Sequence, residues 1–297
     1  MNFGLGEFYA TACALAWAVA VILYKRSGES LPPLPLNLFK NLVGFALMLV
    51  TVLVVSGPQW PGLSATALGL ALLSGFLGIG VGDTLYFRAL NAIGASRMGI
   101  AQTLYSPSVI GLSALYLGER LVAWQWAGVV LVLAGIALVN FNPGLAAIDV
   151  ARLRRGAINA GASVFVMALG VVLAKPLLEQ YDFFWIVMLR ILGGLIGLLP
   201  FMAWKTDGAN AWSAFRHVRH WPHVIAGSIV GNYLSMMLWL AGYKYTTASI
   251  ASVLNELAAV FIMLLAWLFL KERLRPRQLV GGALAISGVL LVVTAAA

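Results

Sequence analysis

Ala95-Ser96 … Leu117-Gly118-Glu119-Arg120-Leu121 … Gln125 … Gly128 … Gly135 occurs twice in this chain. It returns without a gap, 153 positions on, as Ala248-Ser249 … Leu270-Lys271-Glu272-Arg273-Leu274 … Gln278 … Gly281 … Gly288. Matching leucines carry little weight in an apolar chain. Ser, Glu-Arg, Gln and two Gly in fixed register carry much more, and a repeat of this length marks a duplicated structural unit.

Composition says where the unit resides. The 297 residues are 62% hydrophobic and 10% charged, against roughly 25% charged in soluble domains. The sequence divides into ten apolar stretches: Phe8–Tyr24, Leu36–Val55, Ala65–Phe87, Met98–Leu117, Trp124–Phe141, Ala157–Ala174, Phe183–Trp204, Val224–Gly242, Ile250–Leu270 and Leu279–Ala295. Each is long enough to cross a bilayer as a helix and too uniformly apolar for a barrel strand. An all-α integral membrane protein of ten spans is expected. The first stretch lacks a basic n-region and opens on Glu7, so it reads as a retained span. The longest connection, Lys205 to His223, is too short for a soluble catalytic domain, which argues against an enzyme. A lone Cys13 leaves no role for disulfides.

The net charge of +9 does not point to nucleic acid, because the basic residues cluster at span ends. Fifteen Lys and Arg fall on one side of the ten spans and three on the other, with Arg190 inside a span. The positive-inside rule then places both termini on the non-cytoplasmic side of a cell inner membrane.

The copies of the block cover the fourth and fifth spans, then the ninth and tenth. The offset is five, an odd number, so equivalent helices enter the membrane from opposite faces. That is an inverted repeat, with halves at 1–145 and 150–297, a plan secondary transporters use to reach two related states. The block with Pro107 added (Ala-Ser, Pro107, Gly118-Glu119-Arg120-Leu121, Gln125, Gly128, Gly135) resembles the EamA domain of the drug/metabolite transporter superfamily. The resemblance implies two inverted five-helix bundles, a central cavity lined by the first four helices of each half, and export of amino acids, other metabolites or drugs. Val260 stands where the second copy would have its proline.

Ionisable and polar side chains inside spans are costly and mark candidate sites. Ser249, Ser252 and Glu256 share a face of the ninth span, with Asn255 beside them. Glu256 answers to Thr103 in the first copy, so the carboxylate breaks the symmetry and suits a proton or a cationic group. Arg190, mid-span in the seventh stretch, is a ligand or the ion-pair partner of Glu256. Asp83 and Tyr86 end the third span as substrate ligands or a gate, unless Asp83 simply pairs with Arg88 at the interface. Lys40 lies close enough to a span end to snorkel. Gln102, Thr103, Tyr105 and Ser106 sit beside Pro107, whose missing N–H predicts a kink. Asn232, Ser235, Trp239 and Tyr243 form a stripe in the eighth span. Trp17 and Trp239 are deep enough to stack on a substrate, whereas Tyr24, Tyr243, Trp124 and Trp204 read as interface belt. His217, His220 and His223 lie in a basic loop near Trp212 and Trp221, without a carboxylate, and read as interfacial. Glu119 and Glu272 read as helix-end electrostatics.

The sequence thus points to a carrier of a small organic metabolite, amino acids foremost, needing no cofactor and no metal. Its partners are that substrate, the lipid bilayer and, for Glu256, protons as coupling ion. Proton-coupled drug efflux is the alternative; a membrane enzyme or structural subunit is disfavoured by the isolation of Glu256 at mid-depth.

Overall fold

The computed structural model describes residues 4–26, 33–141, 149–205, 215–216, 218, 221–271 and 274–294, and every regular element among them is helical. Trp212, His217, His220, Glu272, Arg273 and Ala295 lie outside the described residues, as do the side chains of Tyr24 and Trp204.

The first half holds α1 (Leu5–Arg26), α2 (Pro33–Thr51, prolonged by a π-helical turn Val52–Ser56) and α3 (Ala65–Gly75). After a π-helical stretch, Phe76–Gly82, come α4 (Asp83–Ile93), α5 (Ala95–Gln102), α6 (Tyr105–Tyr116) and α7 (Ala123–Asn140). The second half holds α8 (Val150–Gln180), α9 (Phe183–Lys205) and α10 (Trp221–Ser228). A second π-helical stretch, Ile229–Leu234, leads into α11 (Ser235–Tyr245), α12 (Ala248–Asn255), α13 (Leu257–Leu270) and α14 (Pro276–Thr294). The two stretches Phe76–Gly82 and Ile229–Leu234 begin at the same offset as the repeated block. The outward faces are apolar: Leu115 is 88% exposed and Val54 78%. Such faces suit lipid rather than water.

Nine segments among the described residues are long and apolar enough to span a membrane, where the sequence led us to expect ten. The difference falls on the fourth stretch, which is two helices of 8 and 12 residues, α5 and α6. Pro107 has no N–H to give the carbonyl of Thr103, so the helix loses a rung there. The chain tightens instead: Thr103 N–H and Leu104 N–H each donate three residues back, to Ile100 and Ala101, at 3.1 Å. The ninth stretch breaks at the equivalent place without a proline. Glu256 N–H donates to Val253 O, and Ala259 N–H to Glu256 O, both at 3.2 Å. Val260 therefore did not remove the break.

Among the described residues of the repeat, the glutamines, the glycines and Glu119 turn out to be scaffold. Gln125 Oε1 accepts from Val122 N–H at 3.0 Å, and Gln278 Oε1 from Arg275 N–H at 2.9 Å, so each caps the start of its own helix. The glycines form the seam between α7 and α14. A Cβ on Gly128 would sit 2.6 Å from Gly288 O, and one on Gly135 would sit 2.5 Å from Gly281 O, with the reverse contacts equally tight. Only a bare backbone permits this approach. Glu119 reaches across to the second half: its carboxylate accepts from Ala248 N–H at 2.7 Å, Ser249 N–H at 3.0 Å and Ser249 Oγ at 2.8 Å. An anion at a helix N-terminus satisfies orphan donors and meets the positive end of the dipole. Glu119 thus belongs to a helix 129 residues away in sequence rather than to its own turn.

One asymmetry matters for function. α6 packs against α12, whereas the pair that answers to them across the repeat, α13 and α5, makes no comparable contact. The bundle is drawn together at one end of these broken helices and loose at the other.

Candidate functional site

Where α12 gives way to α13, the break leaves Ser252 O without its usual donor, because Glu256 N–H has turned to Val253. Ser106, one residue into α6 from its own break, fills the gap. Its hydroxyl lies 3.2 Å from Ser252 O and 2.8 Å from Glu256 Oε1. It has one proton to give and two acceptors to choose from. Ser252 Oγ donates to Ser249 O at 2.8 Å, and Ser113 and Ser249 face each other at 3.1 Å. Asn255 Nδ2 is spent on Ala251 O at 2.8 Å, leaving its Oδ1 buried without a partner. Gln102 Oε1, at the equivalent place before the other break, is also buried and unpartnered. Thr103 Oγ1 turns back to Ile100 O at 2.7 Å. The carboxylate and these oxygens are acceptors, which suits a proton or an ammonium.

Arg190 does not pair with Glu256. Its Nη1 donates to Gly170 O at 2.7 Å and Ser74 Oγ at 3.1 Å, so it ties α9 to α8 and α3. It is 1% exposed, its Nε is unpartnered, and the Trp239 ring centre lies 5.2 Å from its guanidinium carbon. Trp239 stacks edgewise on Tyr243 at 5.4 Å, and Tyr243 Oη meets Tyr105 Oη at 3.0 Å. Tyr243 is fully buried rather than part of an interface belt. Trp124, by contrast, is 68% exposed.

A third cluster joins α1, α2 and α4. Lys40 Nζ lies 3.6 Å from Asp83 Oδ2 and 5.6 Å from the Trp17 ring centre. The expected snorkelling of Lys40 is therefore replaced by an internal ion pair, and Asp83 is held by Lys40 in place of an Arg88 interfacial pair. Asn37 and Asn41, both fully buried on the same face of α2, join through Asn41 Nδ2, which donates to Asn37 Oδ1 at 3.0 Å. Tyr86, three residues on from Asp83 and within reach of its charge, packs with Ala89, Ile93 and Met98. Asn232 is buried against Gly44, whose lack of a side chain makes room for its amide.

Of the residues expected at a site, Ser106, Ser252, Asn255 and Glu256 come together at the breaks. Arg190, Trp239 and Tyr105 form a second group through Tyr243. Trp17 and Asp83 meet only through Lys40. Sequence reasoning missed Asn37, Asn41 and Ser74, and it undervalued Lys40 and Tyr243. The i, i+3, i+4 spacing of Asn37, Lys40 and Asn41 was the available signal. An apolar groove of about 480 Å³ between α6 and α8, lined by Leu112, Leu115 and Phe165 among others, contains none of these groups. Among the described residues no cluster of His, Cys, Asp and Glu could hold a metal.

Known proteins share this architecture. A model of the EamA-like transporter family matches residues 4–141 and 154–294. The chain is 25% identical over 296 residues to the "Pseudopaline exporter CntI" of Pseudomonas aeruginosa, covering 98% of this chain and 94% of that protein. It is 28% identical over 183 residues, 61% of this chain, to a "Probable terminal-alkyne amino-acid exporter" of Streptantibioticus cattleyicolor. An "Uncharacterized transporter" of Archaeoglobus fulgidus is 29% identical over 132 residues, 44% of this chain. The alignments span 58% and 43% of the lengths of these last two relatives. A solved crystal structure superposes with a TM-score of 0.78 at 18% identity, covering 97% of this chain and 96% of its own, a likeness of fold alone.

Proposed function

This chain belongs to the EamA-like transporter family, within the drug/metabolite transporter superfamily, and we propose that it exports a small organic metabolite across the inner membrane by alternating access. Amino acids are the favoured substrate class. Two relatives named as exporters, one of them for an amino acid, support both direction and class. The broken α5–α6 pair supplies a tenth crossing, and halves at 1–145 and 150–297 lie inverted. Matched helix breaks, matched π-helical stretches and the reciprocal glycine seam support that arrangement. With both termini on the non-cytoplasmic side, the end joined by α6 and α12 is the outer one, and the loose end faces the cytoplasm.

One observation carries the reading: the Ser106 hydroxyl meets the Glu256 carboxylate where the two broken helices face each other. A charge at mid-membrane beside irregular backbone is what a substrate or coupling site needs. Cells producing the chain are expected to release an amino acid or similar metabolite that vector-only cells and cells producing Glu256→Gln do not. Identical extracellular profiles in all three would overturn the proposal. Proton-coupled drug efflux is the second reading, favoured because the side-chain partner of Glu256 is a neutral hydroxyl, which leaves the carboxylate free to exchange a proton or a cation. In liposomes an imposed pH gradient separates coupled transport from facilitated diffusion.

A further inference from the structure

We propose that the Lys40–Asp83 ion pair is the empty form of a zwitterion site. The transported molecule carries an ammonium and a carboxylate close together, and it binds by parting the pair, its carboxylate to Lys40 Nζ and its ammonium to Asp83. The inference rests on the transport reading and names the substrate's charges.

The geometry of the pair argues for exchange. At 3.6 Å it is in contact but longer than a charge-assisted hydrogen bond, which runs about 2.7–2.9 Å. Lys175 shows what a structural lysine looks like in this protein: its Nζ lies 2.8 Å from each of Glu179 Oε1, Tyr243 O and Thr246 O. Lys40 has a long contact with one carboxylate and the face of Trp17. The side chains of Lys40 and Asp83 keep 13% and 15% of their surface accessible, whereas Arg190 keeps 1%. The three elements that meet here also leave room. α2 and α4 touch only lightly, and α1 makes no substantial backbone contact with either. Side chains bridge the gap, and a small ligand can part them.

Charge accounting selects the ligand class. A neutral pair that opens onto a zwitterion stays neutral in both states, with each charge again paired. A ligand with one charge would part the ions without replacing both partners. Lys40 would then keep only the Trp17 face, or Asp83 only the neighbouring Asn37 and the more distant Arg190 charge. That is an unfavourable exchange inside the membrane. Trp17 adds a π face for whichever cation stands over it.

The test is a melting experiment on the purified full chain. Each of the proteinogenic L-amino acids is added alone, and those that stabilise the protein are compared with their N-acetyl and carboxamide derivatives. The parent amino acid is expected to bind about tenfold or more tightly than either derivative, the scale of one lost charge-assisted bond. Lys40→Met is expected to erase the preference over the carboxamide, and Asp83→Asn the preference over the N-acetyl form. A pair with only a structural role would weaken all three ligands equally in both variants, and that pattern overturns the proposal. So does a wild-type protein that no amino acid stabilises. If such a protein still exports in the Glu256-dependent cell experiment, the zwitterion site fails while the transport reading stands. Where a single variant does not fold, Lys40→Met/Asp83→Asn removes both charges together and is expected to lose all discrimination among the three forms.

Discussion

Glu256 and Arg190 are both ionisable and both deep in the bundle, yet their surroundings assign them different work. Glu256 meets a hydroxyl at 2.8 Å and keeps part of its surface accessible. Gln preserves its size and can still accept from Ser106, so Glu256→Gln is expected to melt close to wild type. It cannot titrate. Transport by the wild type in liposomes is expected to vary with pH, while Glu256→Gln shows no transport above empty liposomes at any pH in the same range. A parallel pH response in both proteins would remove Glu256 from coupling. Arg190 is closed in by Ser74, Gly170 and Trp239, and its bonds join three helices. A lysine keeps the charge but not the planar fork that serves two acceptors and a ring at once. Arg190→Lys is therefore expected to lower stability by about 1–3 kcal/mol, the cost of unsatisfied buried polar groups. Measured as a shift in melting temperature, it should exceed any shift from Glu256→Gln. The two variants thus test the proposal that Glu256 acts in transport while Arg190 positions.

At the scale of elements, the ends of the broken helices decide most. Glu119 satisfies two backbone donors and a hydroxyl at the start of α12. Glu119→Ala removes all three contacts, and a lost cap of this kind costs about 0.5–2 kcal/mol. A fall in melting temperature of that size, with the circular-dichroism helix content unchanged, is the expected result. The equivalent turn after α13 carries Lys271 with φ of 55°, where the first copy has Gly118 at 71°. A left-handed residue with a Cβ costs roughly 1–2 kcal/mol that glycine does not. Lys271→Gly is expected to raise the melting temperature, and a fall would show that the lysine side chain offsets its own strain. The breaks themselves were only half legible in the sequence. Pro107 announced the first, because a missing N–H is a local fact. The second depends on Ser106 supplying a donor to Ser252 O from another helix, and no local pattern carries that information. The partners of Lys40 and Glu119 were hidden for the same reason: Asp83 and Ala248 are neighbours only after the helices pack. Tyr243 looked like belt because it lies near a span end, but its hydroxyl reaches Tyr105 across the bundle. What periodicity did deliver was the polar face of Ser249, Ser252 and Glu256, since residues on one helix keep their spacing whatever the fold.

For the whole molecule, the repeat separates what is held constant from what does the work. Its shared residues close the α7–α14 seam, cap helices and latch α6 to α12, and these are tasks of scaffold. Its mismatch, Thr103 against Glu256, falls at the facing breaks. On the proposed alternating-access reading, two halves built alike but packed differently at their ends supply two states, because either end could be the closed one at similar energy. Here the Glu119 latch and the Ser113–Ser249 contact hold one end, and α5 and α13 stay apart at the other. A cysteine at Gln102, in the otherwise cysteine-free Cys13→Ala background, is therefore expected to react with a membrane-impermeant thiol reagent applied from the cytoplasmic face and to resist it from the opposite face. Adding Glu119→Ala weakens the latch and should raise labelling from the outer face while lowering it from the inner. A change in the same direction on both faces would mean general loosening, and no change would mean that the latch does not set the balance between states. The two faces must respond in opposite senses, because in alternating access one opening excludes the other.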